Sequence, residues 1–199
     1  MGDAADDIVS ATYRALCEHG YADLTMQDIA DESGKSKSLI HYHYDTKHDL
    51  LCAFLDDLHD RFVETVDGVV DDHDDEGAAE TLRAIYIELT TPTDESKFPG
   101  FQTALMELKA QAPYDEAFRE RLVGFDEVLE THVEAVVADG IERGEFRADA
   151  DPEMVADFFV TLLLGAQSRH VTTATDPETL RTELDAYIDA RLRSVEGST

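Results

Sequence analysis

Positive charge is what this sequence has least of. In 199 residues, 16 lysines and arginines face 45 aspartates and glutamates, a formal net charge of −29, and only five of the cations are lysines. A surface of that sign repels phosphate backbones and anionic headgroups, which excludes non-specific nucleic-acid binding and adsorption to an anionic membrane. Tryptophan is absent. The two cysteines, Cys17 and Cys52, lie too far apart for a CxxC redox pair or a metal knuckle, so free buried thiols are expected. No run approaches the roughly 20 apolar residues of a membrane span. The start at Met1-Gly2-Asp3 has neither the basic nor the apolar region of a signal peptide, so the expected location is the cytoplasm, with no membrane partner. What is plentiful is apolar side chain, 43% of the residues. That share, regularly spaced, is too high for a disordered acidic chain. A folded protein of a salt-rich cytoplasm, coated in carboxylates, fits the balance.

Proline and glycine are also sparse, 5 and 11 residues, and they punctuate a spacing that is helical nearly everywhere. No period-two run with hairpin signals interrupts it, so the fold class read here is all-α, with about nine helices. Ile8, Thr12, Ala15, Leu16 and His19 form a first stripe ending at Gly20. Thr25, with Asp28 three residues on, is a capping-box start for a helix reaching about Glu32, before the Ser33-Gly34 break. A short helix follows from about Ser36 to His43, and Thr46-Lys47-His48-Asp49 repeats the cap signal ahead of Leu50, Leu51, Phe54, Leu55, Leu58 and Phe62. That long helix is expected to end at Val69-Val70, with a polar connection over residues 67–77. Leu82, Ile85, Tyr86 and Leu89 mark a helix stopping near Thr91-Pro92, Phe101, Leu105 and Leu108 another between Pro99 and Pro113, and further helices run from about Tyr114 to Val137 and behind Asp151-Pro152 and Asp176-Pro177, where Asp caps and Pro opens the first turn.

The few cations are not evenly spread. Residues 33–48 hold Lys35, Lys37 and Lys47 against the single acid Asp45, a local net of +2 before any of their three histidines is protonated. Small hydroxyls, lysines and aromatics alternate there, Ser33-Gly34-Lys35-Ser36-Lys37-Ser38-Leu39-Ile40-His41-Tyr42-His43-Tyr44, on a short helix behind a capped helix and a glycine turn. This is the layout of a helix-turn-helix, whose second helix lies in the major groove. Lysines neutralise phosphates, and the N–H groups at the Thr25 helix start offer another phosphate a site.

The order of these residues resembles the N-terminal DNA-binding domain of the TetR family of transcriptional regulators. Gly20, Leu24-Thr25, Ile29-Ala30, Gly34, Ser36-Lys37, His41-Tyr42-His43-Tyr44 and Lys47-x-Asp49-Leu50-Leu51 carry the likeness over about residues 5–55. The resemblance implies a helix-turn-helix head over 1–50, with phosphate contacts from Thr25, Tyr42, His43 and Lys47. It puts Lys35, Ser36, Lys37 and Ser38 at the groove-facing start of the recognition helix. His41 stands where the family usually has Tyr and Tyr44 where Phe is usual, while Lys35 replaces a small apolar residue and adds a potential phosphate contact.

Beyond residue 60 the likeness is architectural. It implies a helical body over 51–199 that holds a small-molecule effector and dimerises through its last two long helices, so the partners are a double-stranded operator, a second copy and an effector. Phe158, Leu162, Leu163, Leu184, Tyr187 and Ile188 form the apolar stripes for that dimer. Tyr86, Phe101, Gln102, Met106, Phe125, His132 and Phe159 are the candidates for the effector pocket. No cofactor or metal is expected. The His48-Asp49 and His59-Asp60 pairs would suit a helical metal-dependent hydrolase, but at eleven residues apart they lie too far along one helix for a single ion. His41 and His43, two apart, point to different faces. GxSxG and P-loop motifs are absent, so the chain is not read as an enzyme. A dimeric interaction module without DNA binding is the remaining alternative, favoured if acids in the fold neutralise the three lysines.

Overall fold

The computed structural model describes residues 3–91 and 100–193, and the expected breaks at Pro92 and Pro99 lie outside them. Among the described residues the chain folds into nine α-helices: α1 (Asp3–Asp23), α2 (Met26–Ser33), α3 (Lys37–His43), α4 (Lys47–His73), α5 (Ala78–Thr90), α6 (Phe101–Lys109), α7 (Glu116–Glu142), α8 (Pro152–Thr173) and α9 (Pro177–Tyr187). The packing divides into two units, 1–62 with 94–125, and 63–93 with 126–199, so α4 and α7 each contribute to both. No helix among the described residues is long and apolar enough to cross a membrane.

In the first unit Ile8, Leu16, Leu24, Ile29, Ile40, Leu50, Leu51, Phe54 and Leu55 are buried with Leu108 of α6 and Phe118 of α7. The expected head therefore shares one apolar core with α6 and the start of α7. Gly20 interrupts α1 at φ 72, ψ 168, a region that costs any residue with a Cβ of order 1–3 kcal/mol. The stripe ends there, as its glycine signals, and Leu24 N–H returns to the Gly20 carbonyl at 3.1 Å. Cys17 and Cys52 are free thiols, and burial pushes Cys17 up to about 11.

In the second unit Leu82, Ile85, Tyr86, Val133, Val137, Phe146, Phe159 and Leu163 line the core. The N-cap of α5 is Gly77, which has no side chain, and the Glu145 carboxylate takes over by accepting Ala78 N–H at 2.7 Å and Ala79 N–H at 2.9 Å. Asp151 and Asp176 cap α8 and α9 ahead of their prolines, as their spacing predicts. One boundary differs from the sequence reading. The long helix does not end at Val69-Val70 but continues to His73, followed by a 3-10 turn over Asp74–Glu76. Acids at a helix C-terminus oppose the dipole. Here the Arg143 guanidinium bonds both the carbonyl and the carboxylate of Asp74 at 2.9 Å, which offsets that cost.

Candidate nucleic-acid interface

Three consecutive helices of the first unit open on hydroxyl caps. At α2 the Thr25 hydroxyl accepts Gln27 N–H at 3.2 Å and Asp28 N–H at 3.3 Å, while Asp28 Oδ2 accepts the Thr25 N–H at 2.8 Å and the Thr25 hydroxyl at 2.7 Å. The Thr25 hydroxyl proton, followed by its N–H, holds the Asp28 carboxyl below its usual range. At α4, Thr46 and Asp49 repeat the exchange, with Asp49 Oδ2 on Thr46 N–H at 3.0 Å and Thr46 Oγ1 on Asp49 N–H at 3.1 Å. Between them, Ser36 caps α3 by accepting Leu39 N–H at 3.2 Å. Thr46 also donates its hydroxyl proton to Asp49 Oδ2 at 2.8 Å, so at α2 and α4 alike the hydroxyl both accepts and donates within its own cap.

Gly34, at φ 63 and ψ 16, closes α2 in the left-handed conformation that suits a residue without a Cβ and turns the chain into α3. Ile40 anchors α3 in the core with no exposed surface, while Leu39 and Tyr44 are half-buried. The opposite side is open: Ser36, Lys37, Ser38, His41, Tyr42 and His43 are all exposed. Tyr42 is 82% exposed, and its ring meets His43 edge-on at 5.2 Å and 87°. Lys37 and His41 lie one turn apart, as do Ser38 and Tyr42, so nitrogen-bearing side chains and hydroxyls run in parallel rows along the exposed side.

Two of the expected contact residues already have partners within the chain. Lys35, at the start of the recognition helix, has its Nζ 2.9 Å from Asp7 Oδ2 of α1. No local pattern marks Asp7, since only the fold brings α1 to that turn. Thr25 likewise serves the cap, its hydroxyl donating to Asp28 and accepting from two amides, so that side chain has no further proton for a phosphate. Lys47 donates to the Tyr21 carbonyl at 3.0 Å and is half-buried. Lys37, Ser38, His41, Tyr42 and His43 remain on the open side.

The remaining candidates divide between the two units. Phe101 tilts against Tyr13 at 5.2 Å, and Phe125 contacts the rings of His59 and Phe62 at 5.3 Å each. With the half-buried Gln102 and Met106 they belong to the first unit, whereas Tyr86 and Phe159 are buried in the second. Tyr86 also lines a cleft of about 490 Å³ with Ile87, Thr90, His170 and Pro177. Its hydroxyl donates to the Pro177 carbonyl at 2.9 Å, and burial, reinforced by Glu178, pushes it up to about 12. His132 is held by Asp67 at 2.7 Å, a structural contact within the second unit. Of the expected dimer residues, Leu163, Leu184 and Ile188 are buried within their own chain. Phe158 is exposed and stacks on Tyr187 at 4.2 Å, and Leu162 is half-buried. The two His-Asp pairs do not converge: His48 lies on the Phe118 ring and pairs with Asp115 at 2.8 Å, while His59 meets Phe125.

A capped helix, a left-handed glycine turn and a short helix with a polar, cationic outer side together make a helix-turn-helix, and they define a DNA-binding protein. Comparison with known proteins gives the family. Residues 8–54 match the bacterial regulatory proteins of the tetR family, and residues 78–193 match the C-terminal domain of BetI-type transcriptional repressors. A TetR transcription regulator from Haloarcula marismortui is 42% identical, with a TM-score of 0.85 over 97% of this chain and 100% of that one. The HTH-type transcriptional repressor AcnR of Corynebacterium glutamicum is 25% identical over 172 residues, 86% of this chain and 84% of the relative. A transcriptional regulator from Saccharomonospora viridis, crystallised with choline, shares the fold at 22% identity and a TM-score of 0.79, over 98% of this chain and 100% of that one. The chain belongs to the TetR family and is a DNA-binding transcriptional regulator.

Proposed function

We propose that this regulator is a repressor that occupies a palindromic operator as a homodimer and leaves it when a small apolar or amphipathic effector binds. The observation that carries the reading is the exposed side of α3, where Lys37, Ser38, His41, Tyr42 and His43 stand together behind a capped α2. In a chain of net charge −29, an exposed polar side with a lysine, two histidines and no acid is a surface built for phosphate and base edges. The head spans 1–50 in this reading, and the body over 51–199 supplies effector binding and dimerisation.

The second copy is proposed to dock on α8. Met154 and Phe158 are 69% and 37% exposed, Tyr187 of α9 stacks on Phe158, and Gly165 has open space where a Cβ would stand. An exposed apolar stripe with a small residue on it suits close packing against its own symmetry copy. Names of relatives support the repressor sense, as in the AcnR repressor of Corynebacterium glutamicum. Selection of random duplexes with the full-length protein in concentrated KCl tests the whole reading. The expected product is a two-fold symmetric site with half-sites centred one helical turn, about 10 bp, or a multiple of it apart. Recovery of no sequence, or of a single asymmetric half-site, would overturn it.

A further inference from the structure

Tyr21 follows the Gly20 break in α1, and three later helices meet at it. Its N–H donates to Glu107 Oε2 of α6 at 2.6 Å, across 86 residues of sequence. Its carbonyl accepts from Lys47 Nζ, on the first residue of α4, at 3.0 Å. That ammonium also lies 5.0 Å from the centroid of the Tyr21 ring, which meets Phe118 of α7 edge-on at 6.3 Å and 79°. Glu107 reaches the backbone here because residue 20 has no side chain: a Cβ on Gly20 would stand 2.9 Å from its carboxylate. The peptide groups on either side of Tyr21 are thus gripped by opposite charges, a carboxylate on the N–H and an ammonium on the carbonyl.

We propose that Glu107 is a positioning residue for DNA binding: through the Tyr21 backbone it fixes the Lys47 ammonium where a phosphate is to be met. The inference rests on the DNA-binding reading above. Hydrogen bonds with one ionised partner are roughly twice as strong as neutral ones, so both ends of Tyr21 are held firmly. An ammonium has three N–H donors, and the Tyr21 carbonyl takes one of them. Lysine otherwise sits on a flexible four-carbon stem, and a phosphate must immobilise it on binding. Stacking on the ring and bonding to the carbonyl remove that freedom beforehand, provided the Tyr21 peptide itself is fixed, which is what Glu107 does from α6. Lys47 gains placement without losing its charge, because its partner is a carbonyl rather than an acid.

A double-mutant cycle on duplexes selected by the wild-type protein tests this, with affinity read over a series of KCl concentrations. Lys47→Ala should weaken binding about tenfold and lower the slope of log affinity against log salt by about one. Glu107→Ala should weaken binding about fivefold and lower the slope as well, and the double variant should bind like Lys47→Ala alone, since the two act as one unit. Glu107→Gln, which keeps an oxygen for the Tyr21 N–H, should lose only about twofold by the same hydrogen-bond scale. Additive losses overturn the proposal. So does a Glu107→Ala protein with a lowered melting temperature but an unchanged salt slope, which would make Glu107 a stabilising residue only. If Glu107→Ala does not fold, the cycle with Glu107→Gln decides by the same criterion: its loss must vanish in the Lys47→Ala background. A wild-type protein that selects no duplex overturns the DNA-binding reading itself, a result distinct from an additive cycle.

Discussion

Asp28 closes the capping box of α2, and it titrates with the fold. Its carboxyl is held below the usual value of 3.8 by the Thr25 hydroxyl and N–H, so its contribution to stability is complete above that value and is lost as the pH falls through the lower folded value. Urea unfolding of the wild type and of Asp28→Asn from about pH 5 down to about pH 3 should therefore show a stability difference that shrinks with acid; a difference independent of pH would contradict the role. This cap was legible in the sequence because both partners lie within one turn, and spacing alone brings them together. The partners of Lys35 and Tyr21 were not. Asp7 reaches Lys35 at 2.9 Å and Glu107 reaches Tyr21 at 2.6 Å only after α1, α3 and α6 have packed, and no local pattern encodes such meetings. For the same reason the +2 charge of residues 33–48 overstates what is available, since Asp7 neutralises one of its three lysines.

Among the elements, α8 shows where helical periodicity stops being informative. Its start at Pro152 behind Asp151 was plain, and so was an apolar stripe, yet α8 is apolar on more than one side. The sequence could not say which side the chain buries for itself. Val155, Phe159 and Leu163 go inward with Leu184 and Ile188, while Met154 and Phe158 stay out. The end of α4 is hidden from the sequence for a related reason: the acids of residues 71–75 have the pattern of a loop, and the Arg143 contacts to Asp74 come from just beyond the end of α7. If the outward side of α8 is the dimer face, Phe158→Glu should raise the dimer dissociation constant at least about thirtyfold, the scale of an interface hot spot, with helix content unchanged. Sedimentation over a concentration series measures this, and a dimer of wild-type affinity would remove α8 from the interface.

At the scale of the whole molecule the net charge of −29 opposes DNA binding, while residues 33–48 are locally positive. Like charges on one folded chain repel, and salt screens them over about 8 Å at 0.15 M but about 3 Å at 1 M. The midpoint of thermal unfolding should therefore rise on going from dilute buffer to molar KCl, and an unchanged or falling midpoint would contradict an acidic coat adapted to salt. The same screening lets a body of this sign approach a duplex while α3 makes short-range contacts. The affinity of Lys37→Ala/Tyr42→Ala for the selected palindrome measures those contacts. The double variant should bind about a hundredfold more weakly, about tenfold for each lost contact, with dimer mass and unfolding midpoint unchanged. Wild-type affinity in that variant would show that the exposed side of α3 is not where this protein meets DNA.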